Sequence, residues 1–162
     1  MHRDSPKRLA AIATVAVATQ ISGCDTAGYR ATANDITTVE LNASRKNAGA
    51  TGKAFLIPRG NDTQVRIDVS GSNVPVTAPV QLYMFVYEGH CGTLGTQPKY
   101  TLTQVVQAQS ALNPTSLGSG PGPWMLANTA PASLAVLRGT PHAIVVRTSP
   151  ADANVDLFCG DI

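Results

Sequence analysis

From residue 37 onward, apolar and polar side chains alternate in short runs separated by turn residues. Gln64-Val65-Arg66-Ile67-Asp68-Val69 is the clearest run. Val65, Ile67 and Val69 fall on one face of a strand, and Gln64, Arg66 and Asp68 fall on the face toward water. Thr38-Val39-Glu40-Leu41 has the same period of two. Ala54-Phe55-Leu56-Ile57 is a short apolar run that stops at Pro58, with a turn at Arg59-Gly60-Asn61-Asp62. Across residues 80–88, Leu82, Met84 and Val86 share one face, and Tyr83, Phe85 and Tyr87 share the other. Further strands are expected over residues 100–107, 133–137, 142–148 and 155–159, with Arg138-Gly139-Thr140-Pro141 as a turn. Residues 113–123 (NPTSLGSGPGP) are too rich in Gly, Pro and Ser for a helix. Trp124, next in the chain, is expected to pin this loop to the body of the domain, whereas an exposed Trp124 would mark a binding surface. Short strands, frequent turns and no sustained helical period predict an all-β fold, an antiparallel Greek-key sandwich or barrel over residues 37–162.

The N-terminal end has a different pattern. Arg3, Lys7 and Arg8 precede an apolar stretch from Leu9 to Ala18, and Ile21-Ser22-Gly23-Cys24 closes it. That is the layout of a secretory leader. The final four residues resemble a bacterial lipobox. The resemblance implies cleavage after Gly23 and a lipid on Cys24, so residues 1–23 are expected to be removed. Residues 24–36 are small and polar, and they read as a flexible tether. The leader's apolar stretch is too short to span a bilayer, which takes about twenty residues. Attachment is therefore expected to come from lipid, and two or more acyl chains hold firmly. The implied location is a bacterial cell envelope, on the periplasmic face or the outer membrane. Asp25 resembles an inner-membrane retention signal, and the choice of membrane stays open.

The formal charge of +2 belongs to the leader. Beyond Gly23 there are nine basic and nine acidic residues, and no basic run. Nucleic-acid binding thus lacks its electrostatic footprint. With Cys24 acylated, Cys91 and Cys159 are the remaining thiols, and in an oxidising compartment such a pair most simply forms one disulfide. The spacing is not Cys-x-x-Cys, which argues against a redox pair.

Two segments carry a family signal: Val86-Tyr87-Glu88-Gly89-His90-Cys91 and the C-terminal Phe158-Cys159-Gly160-Asp161-Ile162. Their order and separation resemble the Cu,Zn superoxide dismutase-like and chordin-domain-like sandwiches. In those, a strand bearing His-x-His-Glu leads toward a cysteine, and that cysteine is bridged to one in a C-terminal Cys-Gly-x-Ile motif. The resemblance covers about residues 37–162. It implies that the copper-holding His-x-His positions are Phe85 and Tyr87 here, and that a later Val-His pair is Val146-Arg147. A phenyl ring cannot ligate copper, and a guanidinium is permanently charged. Residues 92–124 contain no His, Asp, Glu or Cys to replace zinc ligands. The expectation is therefore a non-catalytic domain with no metal and no cofactor, in which Phe85, Tyr87 and Arg147 either form an aromatic–arginine cluster, with Tyr83 beside them, or lie under the long 92–123 loop as ordinary packing. The implied role is structural or partner-binding in the envelope. A degenerate copper- or zinc-binding protein is one alternative. A cell-wall or polysaccharide binder using Tyr83, Tyr87 or Trp124 is another.

Other chemistry is thin. His90 and His142 are the two histidines beyond the leader, and two imidazoles seldom suffice for a metal centre. Gly118-Ser119-Gly120 is not a nucleophile elbow, and no phosphate-binding loop is present. Glu88 and Asp161 would form a carboxylate pair only if folding joined them.

Overall fold

The computed structural model describes residues 35–162 except 114, 119 and 120. The leader, Cys24, nearly all of the tether, and Ser119 and Gly120 lie outside the described residues.

The clean alternation of residues 64–69 belongs to a three-strand meander. β1 (Thr37–Ala43), β2 (Gly52–Arg59) and β3 (Asp62–Val69) pair antiparallel in chain order. Pro58 does not end β2, because the strand runs on to Arg59 opposite Asp62, and the turn narrows to Gly60 and Asn61. The chain then forms β4 (Leu82–His90), β5 (Thr93–Tyr100), the two-residue β6 (Gln109–Ser110), β7 (Trp124–Ala130), the helix α1 (Leu134–Gly139), β8 (His142–Thr148) and β9 (Asp156–Asp161). Their spatial order is β5-β4-β8-β9-β1-β2-β3-β7-β6, one antiparallel sheet curled on itself. The connections β3–β4, β5–β6 and β7–β8 cross between its halves, which is a Greek-key pattern of travel rather than a meander. β1 joins the halves: Thr37 to Leu41 pair with β2, and Asn42 and Ala43 pair with β9. The fold is all-β, as the periodicity predicts.

Inside the curl, alternate residues of the two halves meet. Leu56, Val65 and Ile67 share one core with Leu82, Met84, Val86, Ile144 and Val146, and Trp124 and Phe158 also belong to it. At about 25 cal/mol per Å², burial of such side chains is the main driving force for closing the sheet.

Gly160 explains part of the C-terminal motif. A Cβ at this position would lie 2.6 Å from the Glu40 carbonyl oxygen and 2.7 Å from a Val39 methyl. Only hydrogen fits where β9 crosses against β1. Gly160→Ala is expected to cost about 1–3 kcal/mol through overpacking, read from the midpoint of a urea transition.

Two expected strands are corrected. Residues 100–107 do not form one: β5 ends at Tyr100, and of residues 101–107 only Gln107 makes a ladder-like bridge, to Gln81. Gln104 is left-handed, at φ 59°. The buried Asn128 side chain takes the place of a neighbouring strand, accepting from the Val105 N–H at 2.7 Å and donating to the Val105 carbonyl at 2.9 Å. Residues 133–137 do not form a strand either. Ser133 caps α1, its hydroxyl accepting from the Val136 N–H at 3.4 Å, and only Leu137 of the helix is buried. Capping chemistry and the helix-favouring Leu-Ala-Val-Leu-Arg outweigh the short alternation.

β7 has no counterpart among the expected strands. Its inward residues are Trp124, Leu126, Asn128 and Ala130. A polar and a small residue in that row hide the alternation from the hydrophobic pattern.

Candidate functional site

The outer face of β4 and β8 collects Tyr83, Phe85, Tyr87 and Arg147. β4 alternates cleanly, so Leu82, Met84 and Val86 point into the core while Tyr83, Phe85 and Tyr87 point outward. β8 pairs beside it, with Tyr83 opposite Arg147, Phe85 opposite Val145 and Tyr87 opposite Ala143. Arg147 therefore shares the outer face. Its guanidinium carbon lies 5.3 Å from the Phe85 ring centroid and 5.4 Å from that of Tyr87. Its Nη1 donates to the Tyr87 hydroxyl at 2.8 Å, and its Nε donates to the Asp156 carboxylate. Tyr83 and Phe85 are nearly parallel with centroids 6.5 Å apart, and Phe85 and Tyr87 are tilted by 57° at 6.2 Å. The structure thus brings Phe85, Tyr87 and Arg147 into one cluster, with Tyr83 at its side. Tyr87, Ala143 and Val145 are buried yet lie outside the main core, as a thin second apolar layer.

The electrostatics favour a fixed cation. Burial works to lower the Arg147 pKa, but the hydrogen bond and charge of Asp156, aided by Tyr87, more than offset it and raise the pKa. A raised pKa keeps the stabilising charge at every pH below the ordinary guanidinium value, so Arg147 stays charged throughout the physiological range. The contact between Arg147 and Tyr87 should be worth about 1 kcal/mol, including hydrogen bond and ring. A double-mutant cycle of Arg147→Met and Tyr87→Leu, which removes the ring and its hydroxyl together, is expected to return a coupling of that size, and additive effects would mean the contact contributes nothing.

Cys91 and Cys159 are bonded, with Cα atoms 5.9 Å apart. The bond ties the β4–β5 turn to β9 on this same outer face. Asp161 accepts from the Cys91 N–H at 2.7 Å, and its other oxygen lies 3.7 Å from Nδ1 of His90. Glu88 instead faces Lys99 at 3.4 Å. The two carboxylates thus have separate partners.

The histidines have different settings. His90 is exposed, with 62% of its side chain accessible. His142 is 2% exposed, and its Nδ1 lies 2.9 Å from the Thr140 carbonyl and 3.1 Å from the Leu137 carbonyl. Both are acceptors, so Nδ1 carries the proton and the ring caps the end of α1. The Tyr100 ring lies 5.6 Å away. This structural role for His142 had no signal in the sequence, because the helix it caps was itself hidden. Among the described residues no group of three or more His, Cys, Asp or Glu is placed to hold a metal ion.

Trp124 is 2% exposed and Tyr87 is 5% exposed. Neither offers a free ring face for a saccharide, and Tyr83 is only half-buried. Among the described residues no helix is long and apolar enough to cross a membrane. Comparisons of the chain with protein-family models, with curated proteins and with solved structures return no match.

Proposed function

We propose that this chain is a lipid-anchored cell-envelope protein with a superoxide dismutase-like sandwich that is metal-free and non-catalytic, serving a structural or partner-binding role. The observation that carries this reading is the arginine-centred cluster on β4 and β8. At the positions the resemblance gives to copper, the side chains are a phenyl ring, a phenol already hydrogen-bonded, and a guanidinium already ion-paired. Copper needs lone-pair donors that tolerate two oxidation states. These side chains supply no imidazole, and their cation repels an incoming metal ion. The residues present do not fit the family's metal. The disulfide between Cys91 and Cys159 supports the family reading, because the resemblance pairs those two cysteines. So does Gly160 in the Cys-Gly-Asp-Ile ending, where close strand approach demands glycine.

The anchor part of the proposal rests on the leader and on Cys24. In a bacterial host, incorporation of labelled palmitate that disappears in Cys24→Ser would support it, and unchanged labelling would reject it. The non-catalytic part is tested by metal analysis of exported protein together with a dismutase assay. Copper or zinc well below one equivalent and no turnover are expected. Stoichiometric copper with turnover would instead favour the degenerate metalloprotein.

A further inference from the structure

A groove of about 680 Å³ crosses the outer face of the other half of the sheet, over β1, β2 and β3. Its size is within the range of about 300–1,000 Å³ typical of small-molecule sites. Glu40, Lys53 and Asp68 stand in one row across the three strands, because Glu40 is opposite Lys53 and Lys53 is opposite Asp68. Asn42 and Ser70 lie beyond that row, and Phe55 supplies an apolar wall. The groove lies at the end of β1 farthest from Asp35, where the described chain begins.

The charges decide what fits. Lys53 bridges Glu40 at 3.0 Å. Asp68 is held by a two-pronged contact from Arg66, at 2.6 and 3.1 Å, and that guanidinium in turn lies 5.3 Å from the Phe55 centroid. Each ionised group thus already faces its opposite charge: the lining alone carries two carboxylates and one ammonium, and Arg66 beside the groove supplies the second cation that cancels them. An ionic ligand would gain little attraction and would have to break one of these pairs. Uncharged hydroxyls suit this lining, because each both donates and accepts. Carboxylates, an ammonium, a carboxamide and a hydroxyl can all be engaged without breaking an ion pair, while sugar C–H groups meet Phe55.

We propose that this groove binds an uncharged saccharide. The inference goes beyond the proposed function and rests neither on the lipid nor on the missing metal ligands. A shallow, open groove of this kind is expected to bind with a Kd on the order of 0.1–1 mM.

The test is amide chemical-shift titration of the detergent-solubilised full chain with three neutral trisaccharides: β-1,4-linked N-acetylglucosamine, β-1,4-linked glucose and α-1,4-linked glucose. The expected result is saturable shifts at residues 40–43, 51–55 and 68–70 with at least one of them. Asn42→Ala and Lys53→Ala both alter exposed positions and should fold normally. Each is expected to weaken that binding by about tenfold. No saturable shift with any of the three at about 10 mM would overturn the proposal. So would shifts centred on other strands, or binding unchanged in both variants.

Discussion

Replacing both cysteines of the bridge, Cys91→Ala with Cys159→Ala, is expected to lower the unfolding free energy by about 4 kcal/mol. The bond spans 68 residues. In the chain-entropy account, cross-linking so long a loop removes many conformations from the unfolded chain, and without the bond folding must overcome that entropy as well. The total stability of a domain is only about 5–15 kcal/mol, so the variant should sit near the edge of folding. Chemical denaturation measures it, with a steeper denaturant dependence expected because the unbridged chain exposes more surface. An effect below about 1 kcal/mol would mean that the unfolded chain stays compact without the bond. Locally, the hydrogen bond from the Cys91 N–H to Asp161 and the neighbouring His90–Asp161 contact would remain between this end of β4 and β9.

Trp124→Ala is expected to cost about 3–5 kcal/mol, the range for emptying a large aromatic site in a core. Trp124 is 2% exposed and starts β7, paired with Val69 and with Ser110 of β6. It also holds the Gly/Pro/Ser loop. A Cβ on Gly118 would come within 3.1 Å of its indole, so the loop backbone lies close against the ring. Two effects should therefore appear together in Trp124→Ala: a lower melting temperature, and faster proteolysis within residues 113–123 than elsewhere. A variant that melts normally would place the indole outside the cooperative core. Trp124→Phe should recover part of the loss, since it restores ring volume but not the full contact.

Local pattern carried much of this molecule. Where the residues alternate, as in Val65, Ile67 and Val69 of β3 and in Leu82, Met84 and Val86 of β4, the period of two identified the strand and which side chains share a face. Cysteine count and the compartment expected from the leader pointed to the bond between Cys91 and Cys159. The cluster of Phe85, Tyr87 and Arg147 was legible only because β4 and β8 were both recognised and the resemblance suggested that they meet on one face. What sequence could not decide depended on partners distant in the chain. Residues 101–106 fail to form a strand because Asn128, more than twenty positions away, satisfies the Val105 backbone with its side chain. α1 and the buried His142 define each other, through carbonyls that point at the ring only after the helix has formed. The charges along the groove over β1, β2 and β3 cancel through two pairings: register sets Lys53 against Glu40, and Arg66, two residues before Asp68 on β3, holds that carboxylate. Periodicity is a property of neighbouring residues and survives reading in one dimension. Pairing register, side chains that stand in for backbone, and the cancellation of charge across strands arise only when distant segments come into contact.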